Sequence, residues 1–292
     1  MYVPGDDEKK LKKVESLDVD CIVMNCEDGV AANRKEEARR TIRKVLGELQ
    51  FKRAECAVRV NALSSNLTED DLGVILLSER LPEAIVLPKV ETVEDLNLFE
   101  SMTRFKLRDR KLQNPFRLIF MIESAIGLIN MKDIAKAANS LRERGVFCAE
   151  AVIFGSDDFI ADIGASKEEN LANLVYVRQK IVTIAKAFNL QAIDAVHINL
   201  KDDLGLKTIS EEGAALGFTG KQVIHPAQID IVQKAFSPSE EKVNEAKRLI
   251  EAYNEHQLSG KGAFTFRQKM IDRPLLLQAE QLISMSEALK LS

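Results

Sequence analysis

The chain of 292 residues is 46% apolar and carries a formal net charge of −4 with both signs interleaved, so it can build one large core or two ordinary ones. It lacks the basic excess on which binding to nucleic acid or a membrane surface would rest, and small molecules are the expected partners. Four cysteines (Cys21, Cys26, Cys56, Cys148), with no C-x-x-C pair and only three histidines in the chain, read as reduced core residues in a reducing compartment.

The N-terminal MYVPGDDEKK has neither the apolar region of a signal peptide nor an arginine-rich amphipathic stretch, and no run of about 18 apolar residues exists to span a bilayer. YVP reads as the end of a strand, so the natural protein is expected to extend upstream. Lys9 and Lys13 follow at i and i+4, one side of a short helix near that strand's end. A solvated face is the ordinary role for such a pair, and an anionic ligand such as a phosphorylated cofactor is the sharper one.

Apolar, β-branched runs then recur: CIVMNCEDG (21–29), CAVRVN (56–61), AIVLPKVE (84–91), FRLIFMIES (116–124), AVIFGSDDF (151–159), AIDAVHINL (192–200) and KQVIHP (221–226). Several are continuously apolar, which suits strands covered on both faces. Helical periodicity fills the gaps at 35–49, 92–105 and 173–190. Eight strands alternating with helices and no Gly/Ser/Pro-rich linker predict an α/β fold, a (β/α)8 TIM barrel over residues 1–235. An open doubly wound sheet would carry a G-x-G-x-x-G that is absent. Residues 236–292 break the rhythm with a helix, a glycine-spaced GKGAFTF and the helix PLLLQAEQLISMSEAL, predicting a C-terminal extension able to act as a lid. GFTGKQ (217–222) is not a phosphate loop, since Ala215 and Gln222 stand where a Walker motif needs Gly and Ser or Thr.

Nearly every predicted strand ends in polar groups: Glu27 and Asp28, Arg59 and Asn61, Lys89 and Glu91, Glu123, Asp157 and Asp158, His225. A barrel gathers these ends on one face. Singly, each could be a helix cap or a solvated charge, but their repetition points to a site. Cysteine clusters and paired histidines are missing, which disfavours structural zinc. Magnesium needs only one or two carboxylates, and Glu123 with one of Asp157/Asp158 would suffice. Adjacent residues leaving a strand diverge, so the other is free to cap a helix or hold a basic side chain.

Together YVPG with its lysines, NCEDGVA, VRVN, LPKVE, IES, FGSDDF, IHP and FRQKMIDRPLL resemble the citrate lyase β/malyl-CoA lyase (HpcH/HpaI aldolase) family along essentially the whole chain. The resemblance implies a mitochondrial, Mg2+-dependent TIM barrel, usually a homotrimer, that makes or breaks a carbon–carbon bond between an acyl-CoA and a 2-oxo acid (pyruvate or glyoxylate). Cleavage of citramalyl-CoA is the implied reaction, with malate or 2-methylmalate synthase activity, a transferase reaction, at its side. It implies Glu123 and Asp158 as metal ligands, Arg59 as the binder of a substrate carboxylate or enolate oxygen, and Asp272 as the catalytic carboxylate. Tyr2, Lys9, Lys13, Ile224 and His225 match its coenzyme A positions. Asp272 also precedes Arg273-Pro274, where plain helix capping is its structural role. Asn25, Asp157 and Asn199 depart from the family's expected Asp, Glu and Asp, altering charge around the ligands. Malyl-CoA lyase, a CoA-independent 2-oxo acid aldolase and a noncatalytic partner subunit are the competing expectations.

Overall fold

Every apolar run read as a strand overlaps one in the computed structural model, down to the single residue Lys221 for the last run; the structure describes all residues except 50–52, 109, 169–170, 259–263, 268 and 292. The strands are β1 (Tyr2–Pro4), β2 (Cys21–Asn25), β3 (Glu55–Arg59), β4 (Ala84–Leu87), β5 (Phe116–Ile122), β6 (Phe147–Phe154), β7 (Gln191–Asp194) and β8 (Gly220–Lys221). They pair in parallel in sequence order. Tyr2 N–H donates to the Val223 carbonyl at 2.9 Å, joining the first strand to the segment after the last and closing the (β/α)8 barrel.

Helices cross between strands: α1 (Glu8–Lys13), α2 (Lys35–Glu48), α3 (Thr68–Ile75), α4 (Val93–Leu107), α5 (Ala125–Ser140), α6 (Ser156–Ile163), α7 (Val175–Ala187) and α8 (Asp203–Leu216), with α9 (Ile229–Phe236) after β8. Side-chain caps start α1 (Asp7), α4, α5 and α8 (Asp202). Thr92 and Asp95 form a reciprocal capping box at α4, and Ser124 accepts from Gly127 N–H at α5, so each orphan amide finds an acceptor as the chain turns off the barrel.

The continuous apolar character of the strands follows from burial on two faces. Val23, Ala57, Ala84, Val86, Ile119, Met121, Ala151 and Ile153 fill the interior with Tyr2, Cys21 and Ile193 packed against them. The alternate residues, such as Ile22, Val58, Ile85, Phe120 and Val152, are buried beneath the helices. Period two then carries each interior row upward: Val23 to Asn25, Ala57 to Arg59, Met121 to Glu123 and Ile153 to Gly155. The β5–β6 register shifts between Leu118 and Ile119, which pair with Ala149 and Ala151, leaving Glu150 as an extra residue. That bulge sets the parity of β6 above it.

Strand ends fall short of the apolar runs where chemistry requires it. β4 stops at Leu87 because Pro88 has no N–H to extend a ladder. β6 stops before Gly155, so Asp157 and Asp158 belong to the first turn of α6 and not to a strand. In GFTGKQ, Gly217 ends α8 in the left-handed region (φ 100°), and Lys221 is buried 3.6 Å from Asp194, which Arg178 of α7 also grips at 2.6 Å. That lysine is structural. Burial pushes its pKa down, and Asp194 opposes the shift.

The chain divides into two compact units, Met1–Val232 and Gln233–Ser292. The second contains the end of α9, then α10 (Glu240–Leu258), a hairpin of β9 (Phe264–Phe266) and β10 (Lys269–Ile271), and α11 (Arg273–Leu291). Val243 and Ala246 of α10 and Leu276 and Ala279 of α11 are buried. The sequence reading has no hairpin there. Its glycines Gly260 and Gly262 lie outside the described residues. No described helix is long and apolar enough to cross a membrane.

Candidate active site

Asn25, Arg59 and Glu123 crown the barrel interior because each follows an inward-facing core residue by two positions, and all three are buried. Arg59 is held on several sides. Its Nε donates to Asn25 Oδ1 at 2.8 Å, its Nη1 lies 3.0 Å from Glu27 Oε2, and its guanidinium sits 5.0 Å over the Tyr2 ring. Asn25 also accepts from Glu27 N–H at 2.9 Å and donates to the Asp28 carbonyl. An aspartate at position 25 could accept both bonds but could not make that donation. Asn25 therefore fixes the arginine without adding a second negative charge.

A polar network beneath the loop holds this arrangement. Lys35 Nζ donates to the carbonyls of Cys26 and Glu27 at 2.8 Å each and to Asn61 Oδ1 at 2.7 Å. Asn61 in turn donates through N and Nδ2 to Asp71 Oδ2 at 2.7 Å, and Arg39 Nε donates to Asp71 Oδ1 at 2.6 Å. Hydrogen-bonded networks of this kind rigidify what they support, although Arg39 Nη2 has no hydrogen-bond partner among the described residues.

Glu123 is only 3% exposed. Lys89 N–H donates to its Oε1 at 2.8 Å, while burial, opposed by that bond and reinforced by Glu27 and Asp158, pushes its carboxyl up to about 8. Burial likewise raises Glu27 against the pull of Arg59. Asp158, in the first turn of α6, lies 3.3 Å from Lys89 Nζ. Asp157 turns elsewhere, to Lys167 Nζ at 2.6 Å, so the adjacent carboxylates diverge as the sequence requires.

Carboxylates this close, one of them driven toward its neutral form, fit a hard divalent cation with oxygen ligands. Gly155 supplies a second sign of fit, since a Cβ there would lie 2.5 Å from Glu123 Oε2 and 2.6 Å from its Cγ. Among the described residues no three His, Cys, Asp or Glu side chains form a ready-made metal cage; Mg2+ commonly takes one or two carboxylates and completes its shell with water and substrate. The backbone at Gly155 (φ −90°, ψ 85°) tolerates alanine. Gly155→Ala is expected to displace Glu123 and lower metal-dependent turnover by about a hundredfold with an unchanged circular dichroism spectrum; wild-type turnover would remove the cradle from the argument.

The remaining positions separate. Tyr2 lies inside the barrel with its hydroxyl buried and without a hydrogen-bond partner among the described residues. On α1, Lys10 pairs with Asp7 and Lys12 with Glu8 and Glu48, whereas Lys9 and Lys13 are exposed and make no ion pair with a described residue. Ile224 and His225 are exposed beyond β8, with His225 Nδ1 accepting from Ala227 N–H at 3.2 Å. Asn199 makes a turn, accepting from Lys201 and Asp202 N–H. Asp272 belongs to the C-terminal unit and caps α11, accepting from Leu275 N–H at 3.2 Å. Sequence reasoning gave Lys35 no role, saw Lys89 and Glu27 only as polar strand ends, and singled out Asn25 only as a departure from the family pattern that alters charge around the ligands.

The family model for HpcH/HpaI aldolase/citrate lyase matches residues 1–226. The chain is 50% identical over 290 residues to the mitochondrial citramalyl-CoA lyase of Homo sapiens, covering 99% of this chain and 85% of the human protein. It is 28% identical to the citrate lyase subunit beta of Leuconostoc mesenteroides subsp. cremoris, covering 99% and 92%. Among solved structures, protein CitE from Mycobacterium tuberculosis in complex with magnesium, acetoacetate and coenzyme A aligns with a TM-score of 0.78 at 29% identity, covering 98% of this chain and 96% of that one.

Proposed function

The chain belongs to the HpcH/HpaI aldolase/citrate lyase family, and from that premise we propose that it is a carbon–carbon lyase that reversibly cleaves citramalyl-CoA to pyruvate and acetyl-CoA, with Mg2+ as its metal. The observation that carries this reading is the meeting, at one barrel mouth, of a buried carboxylate pushed up to about 8, a second carboxylate and a buried arginine. The relative's name supplies the substrate, and mitochondrial residence belongs to the same reading.

Glu123 and Asp158 would hold the ion, which when bound supplies Lewis acidity at the hydroxyl and carboxylate of the oxo-acid half. Arg59 is preorganised to donate to oxygen that gains charge as the carbon–carbon bond breaks: the acetyl half leaves with the bonding electron pair as a thioester enolate, and the hydroxyl of the oxo-acid half gives up its proton to solvent water as it becomes the ketone. A donor fixed before reaction contributes about 3 kcal/mol in measured oxyanion sites. Asp272 returns a proton to the enolate carbon in cleavage and removes it from the methyl group of acetyl-CoA in condensation. Lys9 and Lys13, whose ammonium groups make no ion pair with a described residue, bind CoA phosphate together with the exposed Ile224–His225 segment. Tyr2 acts from beneath Arg59. A homotrimer, to be checked by light-scattering mass, and condensation of acetyl-CoA with pyruvate or glyoxylate to 2-methylmalate or malate complete the proposal.

The test is steady-state release of acetyl-CoA and pyruvate from citramalyl-CoA, beside malyl-CoA, with and without Mg2+. Lys9→Ala and Lys13→Ala are expected to raise KM for the thioester by about fivefold each with kcat near wild type. Unchanged KM in both would favour a CoA-independent aldolase, and no turnover of either thioester would favour a noncatalytic subunit.

A further inference from the structure

Lys89 touches both halves of the acidic pair, by different atoms. Its backbone is in the left-handed region (φ 53°), a conformation uncommon for a residue with a β-carbon. That twist after Pro88 aims the N–H at Glu123 Oε1, 2.8 Å away. Its ammonium lies 3.3 Å from Asp158 Oδ1 and 3.7 Å from Glu27 Oε1, with the side chain 37% exposed. Arg59, a second cation here, is committed to Glu27 and Asn25. Among the described residues, Lys89 is the cation paired with Asp158.

The contrast with Lys35 shows what kind of contact this is. Lys35 is locked by three oxygens at 2.7 to 2.8 Å, as a fixed structural cation should be. Lys89 is held more loosely, by charge at longer range, and has solvent to move into.

We propose that Lys89 is a positioning residue with two separable parts: its backbone N–H fixes Glu123, and its ammonium neutralises Asp158 and Glu27 until a divalent ion displaces it from Asp158. This rests on the reading of Glu123 and Asp158 as the metal ligands. The lysine holds mutually repelling carboxylates in place, and it competes with the ion for one of them. Removing the ammonium must then weaken the metal-free fold while strengthening metal binding, two effects that an ordinary structural lysine would not combine.

The experiment is calorimetric titration of Mg2+ into the metal-free full chain at low ionic strength, beside thermal melting of the same samples. Lys89→Met is expected to melt lower without metal yet bind Mg2+ about tenfold more tightly, with the gain shrinking as salt is added. Lys89→Gly, which keeps the left-handed backbone at no steric cost, is expected to share the tighter binding, and Lys89→Arg to stay near wild type. Equal or weaker binding by both Lys89→Met and Lys89→Gly, with wild type binding normally, overturns the proposal alone. An absence of Mg2+ binding by wild type overturns the metal reading and this proposal with it.

Discussion

Glu123→Gln is expected to abolish measurable Mg2+ binding and to lower citramalyl-CoA cleavage by at least about a thousandfold at saturating substrate, the scale of Lewis-acid stabilisation worth several kcal/mol. The substitution keeps the shape, and its carbonyl oxygen still accepts from Lys89 N–H, so the fold should survive. Its effect on pH dependence is the sharper readout. The Glu123 carboxyl rises from its ordinary 4.5 to about 8 in the folded chain. The unfolded chain therefore binds fewer protons than the folded one across that window, and stability falls as pH rises through it. Metal-free wild type should melt higher at pH 5.5 than this group allows at pH 8.5, Glu123→Gln should lose that part of the slope, and saturating Mg2+ should stabilise wild type most at the alkaline end, where the ligand is ionised. Equal pH slopes for the metal-free wild type and variant would show that Glu123 is not the buried acid of this site.

How much of this was written in the sequence depends on which period carried it. The strands were legible because both their faces are covered, and the rows Val23–Asn25, Ala57–Arg59 and Met121–Glu123 follow from strict alternation. The divergence of Asp157 and Asp158 was also legible, although a helical turn and not a strand end separates them. What was not legible depends on register and backbone twist. The extra residue at Glu150 decides that Gly155 stands beside Glu123, and nothing in AEAVIF announces a bulge. Lys89's left-handed backbone is carried by a lysine where glycine or asparagine would have signalled it. The Lys35–Asn61–Asp71 network joins residues up to 36 positions apart in sequence through side-chain geometry alone. In the C-terminal unit, the turn of the hairpin holds Arg267 at φ 47°, again with no glycine to mark it.

Asp272→Asn is expected to lower kcat for citramalyl-CoA by about a hundred- to ten-thousandfold, the range of a positioned general acid or base, while leaving Mg2+ affinity and the KM of the thioester close to wild type. The residue has a visible structural duty, accepting from Leu275 N–H at the start of α11. Asparagine is as good a helix cap as aspartate, so the substitution removes the proton-carrying group and keeps the cap. Loss of activity through a frayed helix would instead appear in Asp272→Ala as a lower melting temperature, and Asp272→Asn should not share it. Isotope exchange adds a readout that capping cannot move: wild type should exchange the methyl protons of acetyl-CoA with deuterated solvent in the presence of pyruvate or a nonreacting analogue, and Asp272→Asn should not. If the asparagine variant exchanges those protons at the wild-type rate, another group carries the proton and Asp272 is a cap alone.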